Sequence, residues 1–397
     1  MAEIELDAKP TQAEHFRTDA VVTASAAHFV HDTYSSFLAP LLPLLIENLT
    51  LTKTAAAMLA VFYQGPSLIQ PLIGRIGDRV NLKILVILAP VTAAVTMTML
   101  GIAPTYAVLA LLLIVAGLNS AGLHSIGPVI VGMVSGQKLG RGMSFWMVGG
   151  ELARTIGPLI VVSAVTLLTP RGLPWLVFGG AAASLLLAAR LREMPDYRPP
   201  AGTQLAVGEA LRRLRPIMLP VGAVVAFRSM LFAGIATFLP TYLTETGESL
   251  MMAGTMFAVM QAAGVAGAMF GGVVSDRLGR RRVLLVMTLA APPAMLLLLN
   301  VRGWLLFPAL LLVGLTMLST TPAIMALVQE RARDMRALAN GVYMAFNFVI
   351  ASVSALAIGR LGDTLGLHAA LTIAALVMLA GAPFVLLLPR GNGKNVG

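Results

Sequence analysis

The sequence predicts an all-α integral membrane protein whose twelve transmembrane helices form two six-helix pseudo-repeats. Composition is the first observation: 57% of the 397 residues are hydrophobic and 12% are charged, whereas soluble chains have about 25% charged residues. The second is a series of twelve apolar stretches near the length of roughly 20 residues that spans a bilayer. The third is a motif of the first half that recurs in the second half. These features argue against a soluble enzyme, a nucleic-acid-binding domain and a secreted scaffold.

The twelve spans are separated by charged or Gly/Pro-rich segments. In chain order we expect them at 20–46, 55–73, 84–103, 106–134, 143–168, 174–191, 217–243, 251–274, 283–301, 304–328, 338–359 and 367–388. The longest connection lies at the middle of the chain and contains several prolines, so it divides six spans from six. The expected organisation is a cytoplasmic tail (1–19), a six-helix bundle (20–192), a cytoplasmic linker (193–215), a second six-helix bundle (216–389) and a cytoplasmic tail (390–397).

Basic residues are distributed unequally between alternate connections. The five connections that follow the even-numbered spans hold 18 Lys and Arg, counting Arg190 at the end of span 6, and the six that follow the odd-numbered spans hold 4. Because excess Lys and Arg collect in cytoplasmic loops, we expect both termini in the cytoplasm and the chain in a bacterial-type inner (plasma) membrane. The net charge of +10 therefore indicates orientation in a lipid bilayer, and no nucleic acid is expected as a partner.

Two further features of the sequence also limit the chemistry. The residues up to Asp19 are rich in acidic side chains and lack the basic and apolar regions of a cleavable signal peptide. The chain has no cysteine, which excludes disulfides, thiolate metal sites and cysteine nucleophiles.

An internal repeat links two connections on the predicted cytoplasmic side. Gly74-x-x-x-Asp78-Arg79-x-x-x-Lys83 follows span 2, and Gly272-x-x-x-Asp276-Arg277-x-x-Arg280-Arg281 follows span 8. Two parallel six-helix halves with a substrate site between them are a known transporter architecture. With both motif copies the chain resembles the major facilitator superfamily, which implies the major facilitator fold. We interpret the two motifs as a gate latch, since the glycine permits close helix approach and the aspartate can pair with a helix end. The alternative is a pair of simple topological anchors.

Three further segments resemble one group within that superfamily. Residues His28 to Asp32, Gly117 to Pro128 and Val148 to Pro158 look like those of the fosmidomycin-resistance group of drug exporters. The Gly-Pro pair at the end of the last segment is also similar to an antiporter signature. This resemblance implies export of small organic or drug-like compounds.

Ionisable side chains inside the spans are the candidates for function, because each is costly in a bilayer unless it is paired or faces water. Span 1 carries His28, His31 and Asp32, whose spacing places His28 on one helix face with the other two. The remaining candidates are His124, Glu151, Arg154 and Arg228.

Asp32 and Glu151 are the expected proton carriers, with His28, His31 and His124 as proton relays or hydrogen-bond donors. A carboxyl group takes up a proton in an apolar cavity and releases it beside an arginine. Alternation between two such environments would couple transport to protons. The alternatives are a permanent ion pair between Glu151 and Arg154, and a structural hydrogen bond between helices for Asp32.

Arg228 is the expected anion-binding residue. It has no carboxylate within one turn of its own span, and it stands 200 residues after His28, at the equivalent position of the second half. A guanidinium suits phosphonate, phosphate or carboxylate groups, and the alternative is an ion pair with Asp32 or Glu151. The other expected substrate-binding residues are Arg154, Gln64, Asn119, Gln261 and Asn347.

The histidines also leave a metal ion open as the cargo. Imidazole and carboxylate ligands suit divalent transition metals, so His28, His31, Asp32 and His124 would fit transport of a divalent metal ion or a metal complex. No resident metal and no other cofactor is expected.

Together these observations predict a proton-coupled secondary transporter that works by alternating access. Its expected partners are a small-molecule substrate, protons and the lipid bilayer, and the expected state is a monomer. A membrane-embedded enzyme or a sensor on a transporter fold is the rival class. The sequence offers no Ser/His/Asp set and no His-Glu-x-x-His run for an enzyme, and a sensor would usually add a soluble output domain.

Overall fold

The computed structural model describes residues 15–77, 80–191, 207–331 and 336–388. These residues are almost entirely helical, as expected where no water is present to satisfy the backbone N–H and C=O groups of an irregular segment. The α-helices are α1 Thr18–Ser35, α2 Leu38–Leu49, α3 Lys53–Gln64, α4 Gln70–Gly77, α5 Lys83–Thr98, α6 Tyr106–Val134, α7 Leu139–Gly172, α8 Val177–Leu191, α9 Val207–Glu245, α10 Leu250–Leu278, α11 Arg280–Asn300, α12 Leu306–Leu318, α13 Thr320–Arg331, α14 Arg336–Leu365, α15 Leu367–Leu379 and α16 Ala382–Leu387.

The predicted all-α membrane fold is confirmed. Within the described residues, eleven helical runs have the length and hydropathy needed to cross a membrane. One run, Arg141–Arg190, has 50 residues, and its backbone leaves the helical conformation at Thr169 (φ 62°, ψ 167°). The predicted spans 5 and 6 both lie in this run, on either side of that break.

Several spans consist of two helical pieces. α1 gives way to α2 at Ser36 and Phe37, and α12 gives way to α13 at Ser319. A 3-10 turn with Pro66 near its start joins α3 to α4. Interrupted helices at membrane depth are tolerated where they are buried in protein or line a cavity, and the breaks at Phe37 and Ser319 are buried in protein.

One apolar core contains residues of both halves of the chain, and each half also has a core of its own. The shared core joins Phe37 and Leu41 of the first half to Phe238 and Leu239 of the second. The other two cores lie near the ends of the spans that adjoin the chain termini, and each contains residues of one half only. The halves therefore meet closely at the face opposite the termini, where α3 packs on α14 and α7 packs on α10.

The predicted tails and linker fall largely outside this description. Residues 1–14, 192–206 and 389–397 are outside the described residues, and α9 already begins at Val207, within the predicted linker. The predicted domain boundaries stay predictions.

Candidate functional site

The expected proton residues come together where α1 packs against α6 and α7. His28, His31 and Asp32 lie buried on α1, and His124 is contributed by α6. α7 approaches closely because residue 150 is a glycine: a Cβ there would lie 2.5 Å from His28 Cε1 and 3.2 Å from Asp32 Oδ2. The sequence thus permits this cluster by placing a residue without a side chain opposite it.

Asp32 lies at the centre of the cluster. Its Oδ2 is 3.2 Å from His28 Nε2, and its Oδ1 is 2.8 Å from His31 Nδ1 and 3.6 Å from His124 Nε2. The guanidinium of Arg154, on α7, reaches to 3.9 Å from Oδ2. One buried carboxylate therefore faces three imidazoles and one permanent cation.

Backbone carbonyls determine the tautomers of two histidines. His28 Nδ1 is 2.9 Å from the carbonyl oxygen of Trp146, and His124 Nδ1 is 2.9 Å from that of Ser120. A carbonyl oxygen only accepts, so each Nδ1 carries a hydrogen and each Nε2 is an acceptor in the neutral ring. The two Nε2 atoms are 3.2 Å apart. With both rings neutral, two nitrogen acceptors and a carboxylate would converge, whereas one added proton turns these contacts into hydrogen bonds.

Trp146 also stacks on His28 and was not among the residues expected from the sequence. The ring centroids are 4.0 Å apart and the planes are 15° from parallel. The stack and the contact with the Trp146 carbonyl hold the His28 ring in one orientation. Trp146 lies one helical turn before Gly150 on α7, and this shared helix face is the signal that would have identified it.

Glu151 and Arg154 form the ion pair that the sequence left open as an alternative. Arg154 Nη1 is 3.2 Å from Glu151 Oε1, and both side chains are partly exposed. Arg154 nevertheless extends to Asp32 as well, so the pair is part of the cluster and its guanidinium links the two carboxylates.

The geometry also bears on the metal alternative. The nearest ligand atoms of His28, Asp32 and His124 lie within 4.8 Å of one another, which is close enough to surround one ion. Asp32, Glu151 and Arg154 carry one net negative charge between them, which a single proton balances. A divalent ion would overcompensate this charge beside the guanidinium of Arg154.

Arg228 lies in the other half of the chain, near the middle of α9, and is buried. Its Nη2 donates to Thr321 Oγ1 at 2.8 Å and to the carbonyl oxygen of Met317 at 3.2 Å. The alternative of an ion pair with Asp32 or Glu151 does not occur: among the described residues, Arg228 has no carboxylate partner.

The remaining expected residues have mixed outcomes. Asn119 Nδ2 donates to the carbonyl oxygen of Ala89 at 3.0 Å, which joins α6 to α5, while Gln64, Gln261 and Asn347 are half-buried. In the second motif copy, Asp276 pairs with Arg280 in its own connection, Arg277 is exposed and Arg281 half-buried. In the first copy, Gly74 lies in α4 and Lys83 begins α5, whereas Asp78 and Arg79 lie outside the described residues.

A set of contacts that the sequence analysis missed joins the two halves at the face opposite the termini. Asp363, near the end of α14, accepts hydrogen bonds from the backbone N–H groups of Lys53 (2.6 Å) and Thr54 (3.0 Å) and from Thr54 Oγ1 (2.5 Å). Lys53 Nζ also lies 2.5 Å from Glu245 Oε1, at the end of α9. The start of α3 is thereby held from two helices of the other half.

Comparison with known proteins places this arrangement in a family. The family model described as Major Facilitator Superfamily matches residues 24–355 and 224–396. Among curated proteins, the fosmidomycin resistance protein of Escherichia coli (strain K12) is 24% identical over 384 residues, covering 94% of this chain and 93% of that protein.

Two solved structures show the same fold at low sequence identity. One is a bacterial homolog of the human lysosomal transporter Spinster, in an inward-facing and occupied conformation: it has a TM-score of 0.78 and 15% identity, and the alignment covers 94% of this chain and 97% of that one. The other is a D-xylose-proton symporter, with a TM-score of 0.71, 16% identity and coverage of 95% and 98%.

Proposed function

Since the chain belongs to the Major Facilitator Superfamily of membrane transporters, we propose that it exports small organic or drug-like compounds in exchange for protons. Drug export is supported by the name of the Escherichia coli relative, a fosmidomycin resistance protein. Proton coupling is supported by the cluster around Asp32. The chain acts as a monomer in the bacterial-type inner (plasma) membrane, with both termini in the cytoplasm.

One observation carries the proton assignment: the two Nε2 atoms of His28 and His124 converge at 3.2 Å beside the Asp32 carboxylate. Both rings are committed through Nδ1 to backbone carbonyls, so neither can supply the hydrogen for that contact unless a proton is added. A proton bound here is buried and charge-balanced, which is what a transported proton requires.

Arg154 gives this site a way to release the proton. Its guanidinium lies 3.9 Å from Asp32 Oδ2 and 3.2 Å from Glu151 Oε1, so a small shift of α7 against α1 exchanges its carboxylate partner. When Arg154 pairs fully with Asp32, the carboxylate no longer needs the proton for charge balance. Both helices belong to the first half, so this shift is a rearrangement within that half that accompanies transport.

The arrangement of the apolar cores supports alternating access. The halves are joined at the face opposite the termini and have separate cores at the face of the termini. With both termini in the cytoplasm, the described conformation faces inward. The motifs around Gly74 and Gly272 then lie at the open face. We assign them to a latch that holds this face closed in the outward-facing conformation.

Transport in proteoliposomes with an imposed pH gradient tests the proposal. Asp32→Asn and Glu151→Gln are each expected to abolish transport driven by the gradient, because the carboxylate that compensates or receives the proton is lost. Exchange of labelled for unlabelled substrate across the same membrane is expected to continue, because exchange moves no net proton. The exposed Glu47 provides a matched control, and Glu47→Gln is expected to behave as the parent protein does.

Two outcomes would contradict the proposal. If Asp32→Asn and Glu151→Gln both retain gradient-driven transport, protons are not coupled through this cluster. If a substrate panel is transported equally with and without the gradient by the parent protein, facilitated diffusion or another coupling ion replaces the proton.

A further inference from the structure

A second buried charge lies in the half of the chain that lacks the proton cluster. Arg228 stands near the middle of α9 with 4% of its surface exposed, at the position equivalent to His28 in the internal repeat. The face of Phe232 covers one side of the guanidinium, with Cζ 4.8 Å from the ring centroid. The guanidinium is therefore held in one orientation inside the protein.

The contacts of Arg228 are all with neutral groups. Nη2 donates to Thr321 Oγ1 and to the carbonyl oxygen of Met317. Nε is buried and has no hydrogen-bond acceptor. Among the described residues no carboxylate lies within ion-pair distance of this side chain, in contrast to Arg154, which contacts two.

The helix that faces Arg228 is interrupted at the point of contact. α12 ends at Leu318, α13 begins at Thr320, and the Met317 carbonyl accepts from both Arg228 and Thr320 Oγ1. Broken helices at membrane depth commonly form substrate sites in transporters. The break therefore indicates an interior binding region, independently of the charge on Arg228.

A buried guanidinium without a counter-ion is unfavourable, because neutral acceptors do not compensate the loss of hydration. An oxyanion would supply both the missing charge and an acceptor for the Nε hydrogen, and a guanidinium can hold two oxygens of one oxyanion through parallel hydrogen bonds. An oxyanion beside Arg228 and Thr321 would therefore complete the contacts of this guanidinium.

We infer that Arg228 binds an oxyanion group of the transported compound, either a carboxylate, a phosphonate or a phosphate. The inference rests on the proposed transport function and adds the substrate class to it. It also separates the two ligands: the proton is held by residues of the first half, and the anion by residues of the second half. Anion binding should consequently not require the Asp32 cluster to be intact.

Equilibrium binding to the purified full-length protein, without any pH gradient, tests this site. The probes are phenylphosphonate, benzoate and the neutral analogue benzamide, measured by titration calorimetry in nanodiscs of phosphatidylcholine. We expect the parent protein to prefer the two anions. Arg228→Gln should raise the Kd for the anions roughly 10- to 150-fold, the range for loss of a charged hydrogen bond, and leave the Kd for benzamide unchanged.

Two further variants test whether weaker binding by Arg228→Gln reflects misfolding. Arg228→Lys keeps the positive charge but loses the paired hydrogen bonds, so its Kd for phenylphosphonate should lie between those of the parent and of Arg228→Gln. Arg360, an exposed arginine near the end of α14, provides the matched control, and Arg360→Gln should bind as the parent does. Equal binding of all three probes by the parent protein, or unchanged anion binding by both Arg228 variants, would overturn the inference.

Two further measurements are needed. One distinguishes a lipid headgroup from the transported compound as the source of the anion, and the other distinguishes failure of this inference from failure of the proposed function. If adding phosphatidylglycerol to the nanodiscs weakens phenylphosphonate binding in proportion to its content, a lipid headgroup occupies the site and the substrate assignment is wrong. Asp32→Asn should bind phenylphosphonate normally even where proton-driven transport is lost. Failure of proton coupling therefore leaves anion binding measurable, and failure of anion binding leaves proton coupling measurable.

Discussion

In the proposed mechanism, the contact between Asp32 and Arg154 links one proton to the structure around it. When the proton bridges His28 and His124, the negative charge of Asp32 is compensated within α1 and α6. When the proton leaves, Arg154 becomes the remaining cation within reach of this carboxylate, at 3.9 Å. Because Arg154 belongs to α7, the protonation state of a site on α1 and α6 alters the attraction between α1 and α7.

Gly150 allows a test of this cluster without removing any charged group. In Gly150→Ala the new Cβ would lie 2.9 Å from His28 Nε2 and 2.5 Å from His28 Cε1, so the imidazole must leave the position in which it meets His124. Overpacking of this kind costs about 1–3 kcal/mol. We expect gradient-driven transport to fall and its dependence on pH to change, measured as initial transport rates in proteoliposomes over a pH series.

Gly65 is the matched control for that substitution. A Cβ at Gly65 would meet no atom within 4 Å, so Gly65→Ala should keep the parent's rates and pH profile. An unchanged pH profile in Gly150→Ala would mean that the contact between His28 and His124 does not carry the proton.

At the level of helices, the sequence predicts which segments cross the membrane but not which of their ends meet. Apolar length and alternating basic connections identify the spans because both depend on local composition. Asp363 and Lys53 are 310 positions apart, and each looks like an ordinary charged residue at the end of a span. Their contact depends on how the two halves pack, which no local pattern records.

In the candidate site, too, the sequence predicts the residues that a local pattern marks and misses those whose role depends on packing. His28, His31, Asp32, His124 and Arg154 could be selected because charges inside spans are rare, and the structure brings them together. Trp146 could not be selected by that criterion, since an aromatic residue in a span is ordinary and its role depends on the carbonyl and ring that it presents to His28.

The contacts of Asp363 lead to a prediction about the equilibrium between conformations. Its carboxylate accepts hydrogen bonds from the first backbone N–H groups of α3, as the side chain of a capping residue does. Unlike an ordinary cap, Asp363 belongs to the other half of the chain. Loss of a helix cap costs about 0.5–2 kcal/mol, and here that stabilisation exists only while this face is closed. Asp363→Ala should therefore shift the equilibrium toward conformations open at this face by roughly 2- to 30-fold.

Spin labels can measure this shift because the chain has no cysteine. Asn48 and Thr364 are exposed residues near the ends of α2 and α14, so labels on Asn48→Cys and Thr364→Cys report the separation of the two halves at this face. The long-distance population should grow in Asp363→Ala and stay at the parent level in Glu47→Gln. An unchanged distance distribution in Asp363→Ala would show that this cap does not hold the face closed.

For the whole molecule, the positions of the apolar cores show which face is closed. The orientation in the membrane then decides whether the open face points inward or outward. The shared core closes one face, and the two separate cores flank the other, where the described part of the chain begins and ends. This arrangement is that of an inward-facing transporter if the termini are cytoplasmic and of an outward-facing one if they are not. The alternate connections hold 18 basic residues, counting Arg190, against 4, and this difference favours the first orientation.

Labelling of single cysteines on intact cells decides between these orientations. A membrane-impermeant maleimide added outside should react with Asn48→Cys, which lies at the closed face, and should not react with Ala201→Cys in the predicted linker until the cells are permeabilised. Asn48→Cys also serves as the control that the reagent reaches the protein. The reverse pattern would place the termini and the linker outside, and the closed face with Asp363, Lys53 and Glu245 would then be the cytoplasmic gate.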